Sequence, residues 1–166
     1  MVNIFKVKGK IRIIPLILLT ILPLLGGAVV GYLNRNSMNI YSNIKLPSFA
    51  PPGYLFPIIW SILYILMGFA SYRIYMHRDT EEDIGNSLFI YIVQLLFNYL
   101  WSFIFFSFRL YGVAFIELVI LFILVVITCI KFIKLDKLAG ALLIPYLIWL
   151  IYAGVLNFLV WMYNEM

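Results

Sequence analysis

The residues in this chain that could do chemistry are indoles, phenols and amides, with no obvious set of acids, bases or nucleophiles. Trp60 and Tyr64 stand four apart, on one face of a helix, just after Pro47, Pro51 and Pro52. Gln94 and Asn98 are also four apart, Trp101 and Phe105 continue their stripe, and Tyr91 precedes it. Pro145, Trp149, Ala153 and Asn157 repeat every four residues. Such faces predict an aromatic-lined cavity with a few amides in it, suited to a flat apolar ligand with polar edges.

Other chemistries are poorly supplied. The single histidine, His77, lies beside Arg78 and the run Glu81-Glu82-Asp83, and reads as a solvated loop residue rather than a metal ligand. Cys129 stands alone, so neither an internal disulfide nor a cysteine-based metal site can form. There is no nucleophile–histidine–acid set, phosphate loop or zinc motif, and no cofactor or metal is expected. Glu117 is the only carboxylate within apolar sequence. It reads as a structural charge paired near Arg109 in preference to a proton relay, because no second intramembrane carboxylate accompanies it.

The elements that must position these groups are membrane helices. Hydrophobic residues make up 65% of the 166 and charged residues only 11%, with a mean hydropathy of +1.06. A soluble globule has far more polar residues, so the excess must face lipid. The fold class expected is an all-α membrane protein, a five-helix transmembrane bundle. A basic tail, 1–12, precedes one domain, 13–163, with spans at about 13–33, 53–76, 87–108, 113–132 and 138–163. The first span follows Lys6, Lys8, Lys10 and Arg12 and has no Ala-x-Ala-like site, so it reads as retained. Gly27 and Gly31 within it form a small-xxx-small pair that permits close helix approach or a dimer face. The connection 34–52, with Asn34, Asn36, Ser37, Asn39, Ser42 and Asn43, is long enough to act as a lid. Gln94, Asn98 and Asn157 are also the residue types that make interhelical hydrogen bonds, and Trp161 reads as an interface aromatic.

The net charge of +5 sits at the ends of apolar runs and points to membrane topology, not to nucleic acid. With the N-terminus in the cytoplasm, Lys6, Lys8, Lys10, Arg12, Arg73, Arg78, Lys131, Lys134 and Lys137 fall inside, against Arg35, Lys45 and Arg109 outside. The C-terminus and the long first loop then face outward, across a plasma membrane.

Together these segments resemble the translocator protein family (TspO/MBR, tryptophan-rich sensory proteins, peripheral benzodiazepine receptors), in its bacterial form. The marks are Pro47-Ser48-Phe49-Ala50-Pro51-Pro52, Phe56-Pro57-Ile58-Ile59-Trp60, Leu63-Tyr64, Met67-Gly68, Gln94-Leu95, Asn98, Trp101, Ile104-Phe105-Phe106, Leu143-Ile144-Pro145-Tyr146, Trp149, Ala153, Leu156-Asn157 and Trp161. The resemblance implies a homodimeric five-helix bundle with the first loop over a pocket. It implies porphyrin ligands, protoporphyrin IX and haem, and synthetic isoquinoline or benzodiazepine-type ligands. It also implies light-dependent porphyrin breakdown at Trp60 and Trp149. Pro51, Tyr64, Gln94, Phe97, Asn98, Trp101, Pro145 and Ala153 would be further lining positions. Phe49 stands where the family often has tryptophan. Tyr163 is followed by Asn164, Glu165 and Met166, so the basic residue of the animal sterol motif is absent. The expected function is thus a porphyrin receptor, with slow photo-oxidation as its only enzyme-like activity. The alternatives are a transporter of tetrapyrroles or other amphipathic solutes, and a purely structural subunit.

Overall fold

The computed structural model describes residues 4–35, 38–78 and 83–166. Asn36 and Ser37 of the polar connection, and Asp79, Glu81 and Glu82 of the acidic turn, lie outside the described residues. Five helical segments are long and apolar enough to cross a membrane, and no strand occurs among the described residues. They are α1 (Ile13–Asn34), α2 (Leu55–Tyr75), α3 (Ile84–Ser102) continued by a π-helical turn (Phe103–Ser107), α4 (Tyr111–Leu135), and a broken fifth segment. That segment consists of a short α5 (Lys137–Ala141) and a long α6 (Ile144–Asn164). The break falls just before Pro145, so the proline kinks no helix. The proline lies in the first turn of α6, where its missing N–H costs no hydrogen bond.

Helix ends are tied by side chains from distant parts of the chain. Asp136 caps α5 by accepting from the Leu138 and Ala139 amides. The same carboxylate accepts from Arg73 on α2, Nη2 at 2.7 Å and Nε at 3.2 Å. His77 Nε2 lies 3.3 Å away. His77 is therefore buried against this pair and not solvated, because α2 carries it onto the α4–α5 junction. Burial would raise the Asp136 carboxyl, but hydrogen bonds from Arg73, Ala139 and His77 outweigh it and hold it below its ordinary value. The N-terminal segment packs here too. Arg73 Nη1 donates to the Ile4 carbonyl, Tyr72 Oη donates to Phe5, and Phe5 meets Phe69 edge-on. At the opposite end Glu165 accepts from the first amides of α4, Tyr111 at 2.7 Å and Gly112 at 2.9 Å.

The packing of α1 on α2 changes along its length. A Cβ on Gly68 would lie 2.5 Å from Thr20 Cα and 3.0 Å from the Leu19 carbonyl, so the two backbones touch there. Further along, Gly27 faces the Tyr64 ring, while a Cβ on Gly31 would meet nothing within 4 Å. Gly27 is thus used inside the molecule, as a seat for a phenol. Tyr99 of α3 reinforces α1 by donating to the Pro23 carbonyl at 2.8 Å.

Candidate functional site

Where α2, α3 and α6 meet, the aromatic faces converge. Trp60 on α2 and Trp149 on α6 meet edge to face, with centroids 6.5 Å apart and planes at 87°. Trp60 stacks on Tyr64 at 5.5 Å, as their four-residue spacing requires. Phe56, one turn before Trp60, leans edge-on against Trp149 at 6.1 Å. Trp101 on α3 stacks on Phe105 at 4.9 Å and donates its indole N–H to Asn157 Oδ1 at 3.0 Å. Asn157 in turn donates to the Tyr111 carbonyl at 2.8 Å. Trp101 is thus a buried strut between α3 and α6.

A chain of hydrogen bonds runs beneath these rings. Tyr64 donates to Asn98 Oδ1 at 2.8 Å, Asn98 Nδ2 donates to Tyr146 Oη at 3.0 Å, and Tyr146 donates to Gln94 Oε1 at 3.2 Å. All four residues are buried. The network ties α2, α3 and α6 together with partners that lipid cannot supply. Trp149 Nε1 and Gln94 Nε2 are buried donors without an acceptor among the described residues.

Two spaces adjoin this cluster. One is a central void of about 10 Å³, lined by Phe56, Trp60, Asn98, Trp101, Leu118, Leu121, Trp149, Leu150 and Ala153. It holds about one water-sized probe. The rings fill the space they enclose, and a large ligand requires them to part. The second is a groove of about 720 Å³ between α1 and α2, floored by Phe56, Trp60, Tyr64, Trp101 and Phe106, with Gly31 and Asn34 on its α1 wall. Drug-sized ligands occupy cavities of about 300–1,000 Å³.

Of the residues singled out from sequence, Trp60, Asn98, Trp101, Trp149 and Ala153 surround the void, and Tyr64 and Gln94 join it through the hydrogen-bond chain. Phe97 is half-buried on the neighbouring side of α3. Pro145 is exposed and lines neither space. Pro51 acts through its carbonyl, which accepts from Tyr41 at 3.0 Å. Burial, with Tyr152 adding to it, pushes the Tyr41 phenol up to about 12, so it stays a donor. The connection between α1 and α2 is held onto α6 at two further points. Asn164 bonds both backbone groups of Lys45, and Tyr152 donates to the Phe49 carbonyl at 3.0 Å.

Phe56, Tyr146, Leu118 and Leu121 are site residues that the sequence reading did not select. Phe56 had a signal, since Phe56, Trp60 and Tyr64 form one stripe at intervals of four. Tyr146 has no such spacing signal and stands only among the residues that carry the family resemblance. Glu117 is buried with neither oxygen hydrogen-bonded among the described residues, whereas Arg109 is exposed, so the expected pairing does not form.

Known proteins share this arrangement of sequence. Protein CrtK of Rhodobacter capsulatus is 40% identical over 124 residues, 75% of this chain and 78% of its own. Translocator protein of Sus scrofa is 33% identical over 157 residues, 92% of this chain and 91% of its own. Tryptophan-rich protein TspO of Chlorobaculum tepidum is 33% identical over 124 residues, 75% of this chain and 78% of its own. The TspO/MBR family profile matches residues 19–162, and the chain belongs to that family of membrane proteins.

Proposed function

We propose that this protein is an integral membrane receptor for porphyrins and related flat apolar ligands, held between Trp60 and Trp149 beneath a lid formed by residues 34–52. The observation that carries the reading is the perpendicular Trp60–Trp149 pair at 6.5 Å, with Asn98 and Trp101 beside it. Two indoles at right angles offer one face and one edge to a planar ring system. The unmatched Trp149 Nε1 donor suits a carbonyl or carboxylate on the ligand's rim. With a porphyrin bound, the same indoles are the groups placed to be oxidised under light. Homodimers, and an orientation with the N-terminus in the cytoplasm, complete the reading; a C-terminal tag should then be reached only from outside.

Protoporphyrin IX titrated into the purified protein in lipid nanodiscs should shift the porphyrin absorbance saturably. A Trp60→Phe, Trp149→Phe double variant should weaken binding at least tenfold. Unchanged affinity in a folded double variant would rule out this pocket.

A further inference from the structure

We propose that the ligand reaches the aromatic cage sideways from the bilayer, through the wedge between α1 and α2, and not from water beneath the α1–α2 loop. The proposal rests on the receptor reading above and concerns the route to that same site.

Three positions along one helix pair define the wedge. At Gly68 the backbones of α1 and α2 touch, and no side chain larger than hydrogen fits between them. At Gly27 the Tyr64 ring stands between the helices as a spacer. At Gly31 the space is open. Two helices in contact at one end and propped apart in the middle must diverge toward the other end. The opening is the 720 Å³ groove, and three rings of its floor, Phe56, Trp60 and Trp101, also wall the central void. The groove and the cage are thus continuous through shared side chains, and rotation of those rings would join them. The lips are apolar: Ile21 and Leu25 of α1 line the groove and are exposed. An aqueous mouth would not be built this way, because apolar lips favour lipid.

The loop, by comparison, is tied down at three points among the described residues. Asn164, Tyr152 and Tyr41 hold the backbone at Lys45, Phe49 and Pro51. A flat apolar ring also partitions into the bilayer, so it meets the wedge at a far higher local concentration than it meets the loop. The polar end of the groove is at Asn34, and Arg35 follows it in the chain. A tetrapyrrole would enter ring first, with its carboxylates trailing toward that cationic end.

The test is the association rate of protoporphyrin IX, pre-equilibrated in nanodisc lipid and followed by stopped-flow tryptophan quenching. Gly31→Phe fills the groove at a position with room for a side chain, and Ala28→Phe fills the same wall. Val29→Phe places the same bulk on an exposed position of α1 outside the groove. Gly31→Phe and Ala28→Phe should slow association and dissociation at least tenfold each with little change in Kd. Val29→Phe should leave both rates unchanged. Asn164→Leu, which frees the loop at Lys45, should not accelerate association. The route is overturned if both groove variants associate at the wild-type rate, if they weaken Kd without slowing association, or if Asn164→Leu associates several-fold faster. Absence of any quenching in the wild-type protein would instead overturn the receptor reading itself.

Discussion

Asn164 clasps Lys45: its side-chain amide accepts from the Lys45 N–H at 2.9 Å and donates to the Lys45 carbonyl at 3.0 Å. One planar group thereby satisfies both backbone groups of a residue 119 positions away. Its neighbour Glu165 meanwhile caps α4. In sequence these two residues mark only the lack of a basic residue after Tyr163. In the fold they are anchors that secure the loop and the start of α4 to the end of α6.

The chain Tyr64–Asn98–Tyr146–Gln94 makes Asn98 the most sensitive polar position in the bundle. Asn98→Leu removes an acceptor from Tyr64 and a donor from Tyr146 at once. Leaving buried partners unmatched costs about 1–3 kcal/mol. Tyr64→Phe removes one end of the chain and should cost less, close to the ~0.6 kcal/mol average for interhelical hydrogen bonds in membranes. Thermal melts in one detergent should rank wild type, Tyr64→Phe and Asn98→Leu in falling order. A Tyr64→Phe variant less stable than Asn98→Leu would show that the Tyr64 hydroxyl, not the Asn98 amide, holds this junction.

How much of this was legible beforehand follows from what a period can and cannot encode. Apolar runs of about 20 residues define spans whatever their neighbours do, so the five-helix class followed directly from composition. A spacing of four places Trp60 with Tyr64 and Gln94 with Asn98 on common faces. Which way each face points depends on the rotation of each helix, and that is set by packing. Hence the roles of Tyr146, the hub of the network, and Gly68, the tightest helix contact, do not follow from spacing, although both stand in segments that carry the family resemblance. The Arg73–Asp136–His77 cluster was hidden for a different reason. Asp136 lies 63 residues from Arg73 and 59 from His77, and each reads as an ordinary polar group at a span end.

Gly68 and Gly31 make a matched pair. Gly68→Ala drives a methyl into the backbone of Thr20, which has no rotamer to relieve it, and overpacking of this kind costs about 1–3 kcal/mol. Gly31→Ala meets open space inside a helix and should gain about 0.5–1 kcal/mol through helix propensity. Melting temperatures should therefore move in opposite directions. A neutral Gly68→Ala would mean that α1 can slide away from α2 at no cost.

Asp136 sets the acid limit of the Arg73 end of the bundle. Its folded carboxyl titrates below the ordinary carboxylate range, so the unfolded chain binds its proton first as pH falls. The stabilisation is complete above the ordinary value of about 4 and is lost as pH drops through the lower folded value. Asp136→Asn should flatten that acid slope. It should also destabilise the fold at neutral pH, by up to about 3 kcal/mol, because the buried Arg73 guanidinium loses the Asp136 carboxylate 2.7 Å away. Chemical denaturation at pH 7 and across pH 2–5 checks both effects. An unchanged acid slope in Asp136→Asn would assign the slope to other carboxylates.

Glu117 is the reverse case, a buried carboxyl with nothing to hold it. Neither oxygen has a hydrogen-bond partner among the described residues. A buried polar group without a partner costs about 1–3 kcal/mol by mutational measures, and an apolar replacement of like shape removes that cost. Glu117→Met keeps the length of the side chain and should therefore stabilise the fold by about 1–3 kcal/mol. Glu117→Gln removes any charge but keeps a polar head, and should fall between wild type and Glu117→Met. This order separates two explanations of why a carboxyl sits in the bundle. If it is a structural charge, removing it loosens the protein, and both variants melt below wild type. If stability is given up at this position for some other role of the side chain, both melt above it. The geometry favours the second outcome, because a structural charge has partners and Glu117 has none among the described residues.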